Sequence, residues 1–135
     1  MTASPEQLAH LRHELLTQIN HIIGFTEIQI DEAPETGLGD HIPALAEINT
    51  CGRSLMALIE GALAPASSGS DLRDLDGHIE SEATPALVQA KKLAGHLHSI
   101  GCDSAAQEID LVSTALESLL NISRQMSERE RDLRV

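Results

Sequence analysis

Apolar residues recur at Leu8, Leu11, Leu15, Ile19, Ile22 and Ile23. Steps of three and four fill one stripe of a helix, so this spacing predicts an amphipathic helix. Ser4-Pro5-Glu6-Gln7 marks its start: a capping serine, a proline suited to the first helical position, and a glutamine that completes a capping box. Pro34, Gly37 and Gly39 are expected to end it near Ala33. A second stripe, Leu45, Ile48, Gly52, Leu55 and Ile59, is close to a heptad seam. It predicts a helix capped by Asp40 that ends near Gly61. Glycine in mid-helix costs about 1 kcal/mol against alanine, and a close helix crossing at Gly52 is the expected reason for it.

Ala64-Pro65-Ala66-Ser67-Ser68-Gly69-Ser70 reads as a linker. A third stripe, Leu87, Ala90, Leu93, Ala94 and Leu97, stops at Gly101. Asp103 is the expected cap of a fourth helix with the stripe Ile109, Val112, Leu116, Leu119 and Ile122. Asp71 to Ile79 is either a short extra helix or the start of the third, and Thr84-Pro85 is either a fresh cap or a kink. The charged stretch Ser127 to Asp132 reads as a frayed or solvated helix end. The division that follows is a hairpin over 1–63, a linker with room for a short helix over 64–83, and a second hairpin over 84–135 packed on the first.

Two amphipathic helices cannot hide their stripes alone. The expected fold is therefore all-α, two antiparallel helical hairpins forming a four-helix bundle. It closes within one chain as a pseudo-dimer, or between two chains as a homodimer. Composition agrees, because Phe25 is the only aromatic residue and the apolar set is Leu, Ile, Ala and Val. The halves also look alike. Leu119-Leu120-Asn121-Ile122 lines up with Leu55-Met56-Ala57-Leu58, and Thr84-Pro85-Ala86-Leu87 with Thr17-Gln18-Ile19, which places Glu80 near the position of His13. Duplication and the general likeness of helical hairpins both account for this.

Charge narrows the partners. A net charge of -12 argues against nucleic acid and against anionic membrane surfaces. No apolar run approaches membrane-spanning length and the N-terminus lacks a signal peptide's regions, so a cytoplasmic protein is expected. Cys51 and Cys102 form no spacing motif and are expected to be reduced, buried thiols. No glycine-rich phosphate loop, nucleotide-binding box or nucleophilic triad is present, so no cofactor and no autonomous kinase activity are expected. His10 and His13 lie three apart and His21 two turns beyond His13, but no fourth ligand is evident; they read as solvated helix histidines, and no metal site is expected. His96 and His98 fall on different sides of their helix.

His13, Glu14 and Thr17 fall off the first stripe. A histidine held proud of a rigid helix, with a carboxylate beside it and a hydroxyl one turn on, is a usable nucleophile. The run His13-Glu14-Leu15-Leu16-Thr17-Gln18-Ile19-Asn20, with Ile22-Ile23-Gly24-Phe25 and Glu27, resembles the phosphoacceptor segment of the dimerisation domain of sensor histidine kinases. That family reads His-Glu-Leu-Arg-Thr-Pro-Leu-Asn and continues Ile-Gly-Phe/Tyr-x-Glu. Leu16 stands in place of its usual arginine and Gln18 in place of its proline, which implies a straighter helix. The resemblance covers roughly the first half of the chain.

The resemblance implies two-component signalling. His13 would be the phosphoacceptor, Glu14 would hold its second ring nitrogen or accept its proton, and Thr17 would orient a hydrolytic water. The implied partners are a response-regulator receiver domain or a kinase catalytic domain, which could lie on another chain. The alternative is a non-catalytic binding or dimerisation module that docks such a partner after its phosphoacceptor chemistry has decayed. Asn20, Gly24 and Phe25 either shape a docking surface near His13 or serve packing, Gly24 by permitting a close helix contact; packing is the preferred reading.

Overall fold

A computed structural model of the chain describes residues 5–62 and 72–133. It contains α1 (Pro5–Thr36), a 3-10 turn η1 (Gly39–His41), α2 (Ile42–Ala62), α3 (Leu72–Ser99) and α4 (Asp103–Leu133), with no strand among the described residues. Packing runs round a square. α1 lies beside α2 and α4, and α3 lies beside α4 and α2. The result is a four-helix bundle closed within one chain, built from the hairpins α1–α2 and α3–α4.

The stripes meet in one core. Leu15, Ile19, Ile22, Ile48, Leu55, Ile59, Ile79, Ile109, Val112, Leu116 and Leu119 are all fully buried. Every residue of the second stripe is buried, Gly52 included. A Cβ on Gly52 would come within 3.0 Å of Ile23 Cγ1 and 3.3 Å of Ile22 Cγ2, so α1 and α2 cross closely here, as expected.

Helix ends differ from their expected places. α1 continues past Ala33 to Thr36 with Pro34 inside its last turn, and Gly37 at φ +77° turns the chain. A proline this near a C-terminus removes one helical bond without breaking the run. Asp40 lies in η1 and α2 begins at Ile42, so the cap position of α2 falls on His41 and not on Asp40. Asp103 is the first residue of α4 and gives its carboxylate to His98, 3.3 Å away, while Cys102 accepts the first helical bond from Ala106. α3 begins at Leu72 and passes through Thr84-Pro85 unbroken, so the stretch to Ile79 is the start of the third helix, one of its two expected readings, and residues 72–83 are helix rather than linker. The expected cap Ser4 and the linker 64–70 lie outside the described residues. The tail is helical to Leu133. Both cysteines are free and half-buried rather than fully buried.

The two hairpins share one register. Gly37 and Gly101 take the same left-handed conformation, φ +77° and +82°. The amide of Leu38 bonds the carbonyl of Ala33 at 2.9 Å, and that of Cys102 bonds Leu97 at 2.8 Å. These are matching helix C-caps, each pair 64 residues apart. The same shift carries buried Leu15, Ile19 and Ile22 onto buried Ile79, Ala83 and Ala86. It also carries Leu45, Ile48 and Leu55 onto Ile109, Val112 and Leu119. The match of Leu55-Met56 with Leu119-Leu120 has this shift. The match of Thr17 with Thr84 does not, so the counterpart of His13 is Gly77 and Glu80 stands opposite Leu16.

Candidate functional site

Polar pairs fix the helices that carry the site. The buried hydroxyl of Thr26 donates to the carbonyls of Ile22 and Ile23 at 2.7 and 3.0 Å and accepts from Asn49 Nδ2 at 2.9 Å. Asn49 Oδ1 accepts from Arg53 Nε at 3.0 Å, and Arg53 pairs with Glu27. This chain zips α1 to α2 along one edge. Gln29 reaches Glu108 on the α4 side. Glu82 of α3 accepts from Ser54 through its side chain and from the Cys51 thiol through its carbonyl. Burial first, and the nearby Glu82 charge second, push the Cys51 thiol up to about 11, so it stays protonated. The pairings between helices were not visible in the sequence, because each joins residues far apart in the chain.

His13 sits on the outer face of α1, exposed, while Leu15 and Ile19 are fully buried. The rotation of the helix alone puts it there. Thr17 is half-buried one turn on. Its hydroxyl donates to the carbonyl of His13 at 2.8 Å, which fixes its direction and leaves its lone pairs open. Glu14 is elsewhere engaged: its carboxylate lies 3.1 Å from His10 Nε2, one turn back. The structure therefore brings His13 and Thr17 together through the backbone and pairs Glu14 with His10, where the resemblance implied a pairing with His13.

Below His13 on the same face is a shallow groove of about 150 Å³ lined by Asn20, His21, Gly24, Phe25 and Ile28. His21 and Phe25 rings lie 6.2 Å apart, and Ile28 is 45% exposed. A Cβ on Gly24 would meet nothing within 4 Å, so Gly24 serves no close helix contact. The packing reason preferred for it is overturned. Phe25 does pack partly against the core.

The face thus offers one exposed imidazole, a fixed hydroxyl a turn away, and an apolar floor two turns along. A neutral imidazole nitrogen is a nucleophile toward phosphoryl or acyl groups. Among the described residues no group of three or more His, Cys, Asp or Glu side chains is placed to hold a metal ion, and no helix is long and apolar enough to cross a membrane. No known protein family, curated protein or solved structure matches the chain.

Proposed function

We propose that this bundle is a histidine phosphotransfer module of two-component signalling, with His13 as the phosphoacceptor and a receiver domain as its partner. The observation that carries this reading is the exposed position of His13 on a helix anchored on both flanks, with the Thr17 hydroxyl bonded to its carbonyl. A ring nitrogen of His13 attacks the phosphorus of a receiver's aspartyl phosphate. The N–P bond forms, the P–O bond to the carboxylate breaks, and the aspartate leaves as a carboxylate. The proton on the second ring nitrogen passes to solvent, or to Glu14 once that carboxylate swings from His10. The reverse step returns the group to an aspartate. The groove from Asn20 to Ile28 supplies an apolar seat for the receiver. The acidic chain, net -12, suits a cytoplasmic partner with a basic rim.

A second reading has one observation in its favour. Glu14 is held by His10, which leaves the His13 ring without the carboxylate that would orient it. On that reading the face docks a receiver or kinase without chemistry.

The test is phosphoryl transfer. The purified chain is mixed with labelled, phosphorylated receiver domains, and separately with a sensor-kinase catalytic domain and ATP. Acid-labile, base-stable label on the wild type that is absent from His13→Ala is the expected result. Receiver binding without label, equal in both proteins, would replace relay by docking. Neither label nor binding would remove both readings.

A further inference from the structure

The rings of His41 and His96 lie with centroids 5.1 Å apart and planes inclined at 64°. His41 ends the turn η1 of the first hairpin, and His96 stands in the last turn of α3 in the second. Of the other described histidines, His10 pairs with Glu14, His21 makes a tilted ring contact with Phe25, His98 bridges Asp103 and Asp110, and neither His13 nor His78 lies against a second histidine ring. Neither the His41 ring nor the His96 ring has a hydrogen bond or ion pair with another described residue, so no described side chain or backbone group takes their ring nitrogens. We propose that His41 and His96 form a two-histidine site for a divalent transition-metal ion, zinc first, which staples the first connector to α3.

The geometry suits such an ion. Two imidazoles on one tetrahedral ion, each nitrogen about 2.1 Å from the metal, place their ring centroids about 5 Å apart. The observed pair already has that separation in an edge-to-face contact, and binding requires both rings to turn a nitrogen toward the shared ion. Imidazole is a good donor to zinc, nickel and copper, and water fills the remaining positions. The two ligands come from different hairpins, so the bound ion ties the first connector to α3. A ligand that binds the folded chain alone raises its stability by mass action.

The test is zinc binding to the full chain by calorimetry, repeated with nickel, beside His41→Ala, His96→Ala and His98→Ala. The expected result is one saturable site in the wild type, a loss of at least tenfold in affinity in either of the first two variants, and wild-type affinity in His98→Ala. Zinc should raise the thermal midpoint of the wild type and leave His41→Ala and His96→Ala unmoved. His41→Gln and His96→Gln, checked for helicity by circular dichroism, repeat the comparison if alanine disturbs the turn. No saturable binding below millimolar zinc overturns the proposal, and so does binding that survives both single variants.

Discussion

A Cβ built on Gly52 of α2 meets Ile23 Cγ1 of α1 at 3.0 Å, while one built on Gly24, the residue after Ile23, meets nothing. A methyl group therefore has opposite effects at the two glycines. Gly24→Ala gains helix propensity at no steric cost and should stabilise the fold by about 1 kcal/mol. Gly52→Ala has the same gain set against overpacking, which typically costs about 1–3 kcal/mol, so it should be neutral to destabilising. Gly52→Leu cannot be absorbed at all and should unfold more readily than either. Urea denaturation of the three variants checks the order. A stabilised Gly52→Ala would mean that the α1–α2 crossing is looser than described.

The Cys51 thiol should be chemically quiet. With its titration pushed up to about 11, chiefly by burial, little thiolate exists at pH 8. In a Cys102→Ser background, alkylation of Cys51 by iodoacetamide should run roughly a hundredfold slower than that of a free cysteine peptide, and should approach the peptide's rate only in urea. Fast reaction in the native state would show the α2–α3 seam open at Glu82.

His98 should make stability depend on pH. Its ring bonds Asp110 at 3.1 Å and Asp103 at 3.3 Å, and the Asp110 bond is the larger reason that its titration is raised above the ordinary value. A raised folded value means that protonation and folding favour each other. The contribution is therefore full below the unfolded titration, about pH 6.5, and is lost as pH climbs through the folded one. The thermal midpoint of the wild type should exceed that of His98→Gln most at pH 5.5 and least at pH 8.5. Because the side chains are exposed, 0.5 M salt should shrink the gap. A gap that widens with pH would reverse the assignment.

The closed bundle should be a monomer. All four stripes face one core within the chain, and among the described residues the larger exposed apolar ones, Ile28, Val88, Ile100 and Leu111, are only about half exposed and lie on three different helices or their ends. Sedimentation equilibrium should return 14.5 kDa at micromolar concentration. A mass of twice that would point to a hairpin exchanged between chains.

The elements themselves were largely legible, because a period of 3.6 with apolar residues at steps of three and four needs no tertiary information to predict a helix. The second stripe is buried at every position, and the outward placement of His13 follows from its angle on α1. Local signals were weaker at the helix ends. Asp40 and Asp103 have cap chemistry, yet one sits in a 3-10 turn and the other turns to His98, since whichever partner is nearest in space takes the carboxylate. Pro85 looked like a boundary, but packing of α3 against α4 holds the helix through it. Burial, together with matching caps at Gly37 and Gly101, decided the register between the halves and so replaced Glu80 by Gly77 as the counterpart of His13. The Thr26–Asn49 and Arg53–Glu27 links between helices, the open space at Gly24 and the His41–His96 contact were matters for the tertiary structure, whereas the Glu14–His10 pair is an i,i+4 contact within α1. Helical periodicity is a property of neighbours along the chain. Which carboxylate meets which donor depends on distances between helices, and those exist only once the bundle has closed.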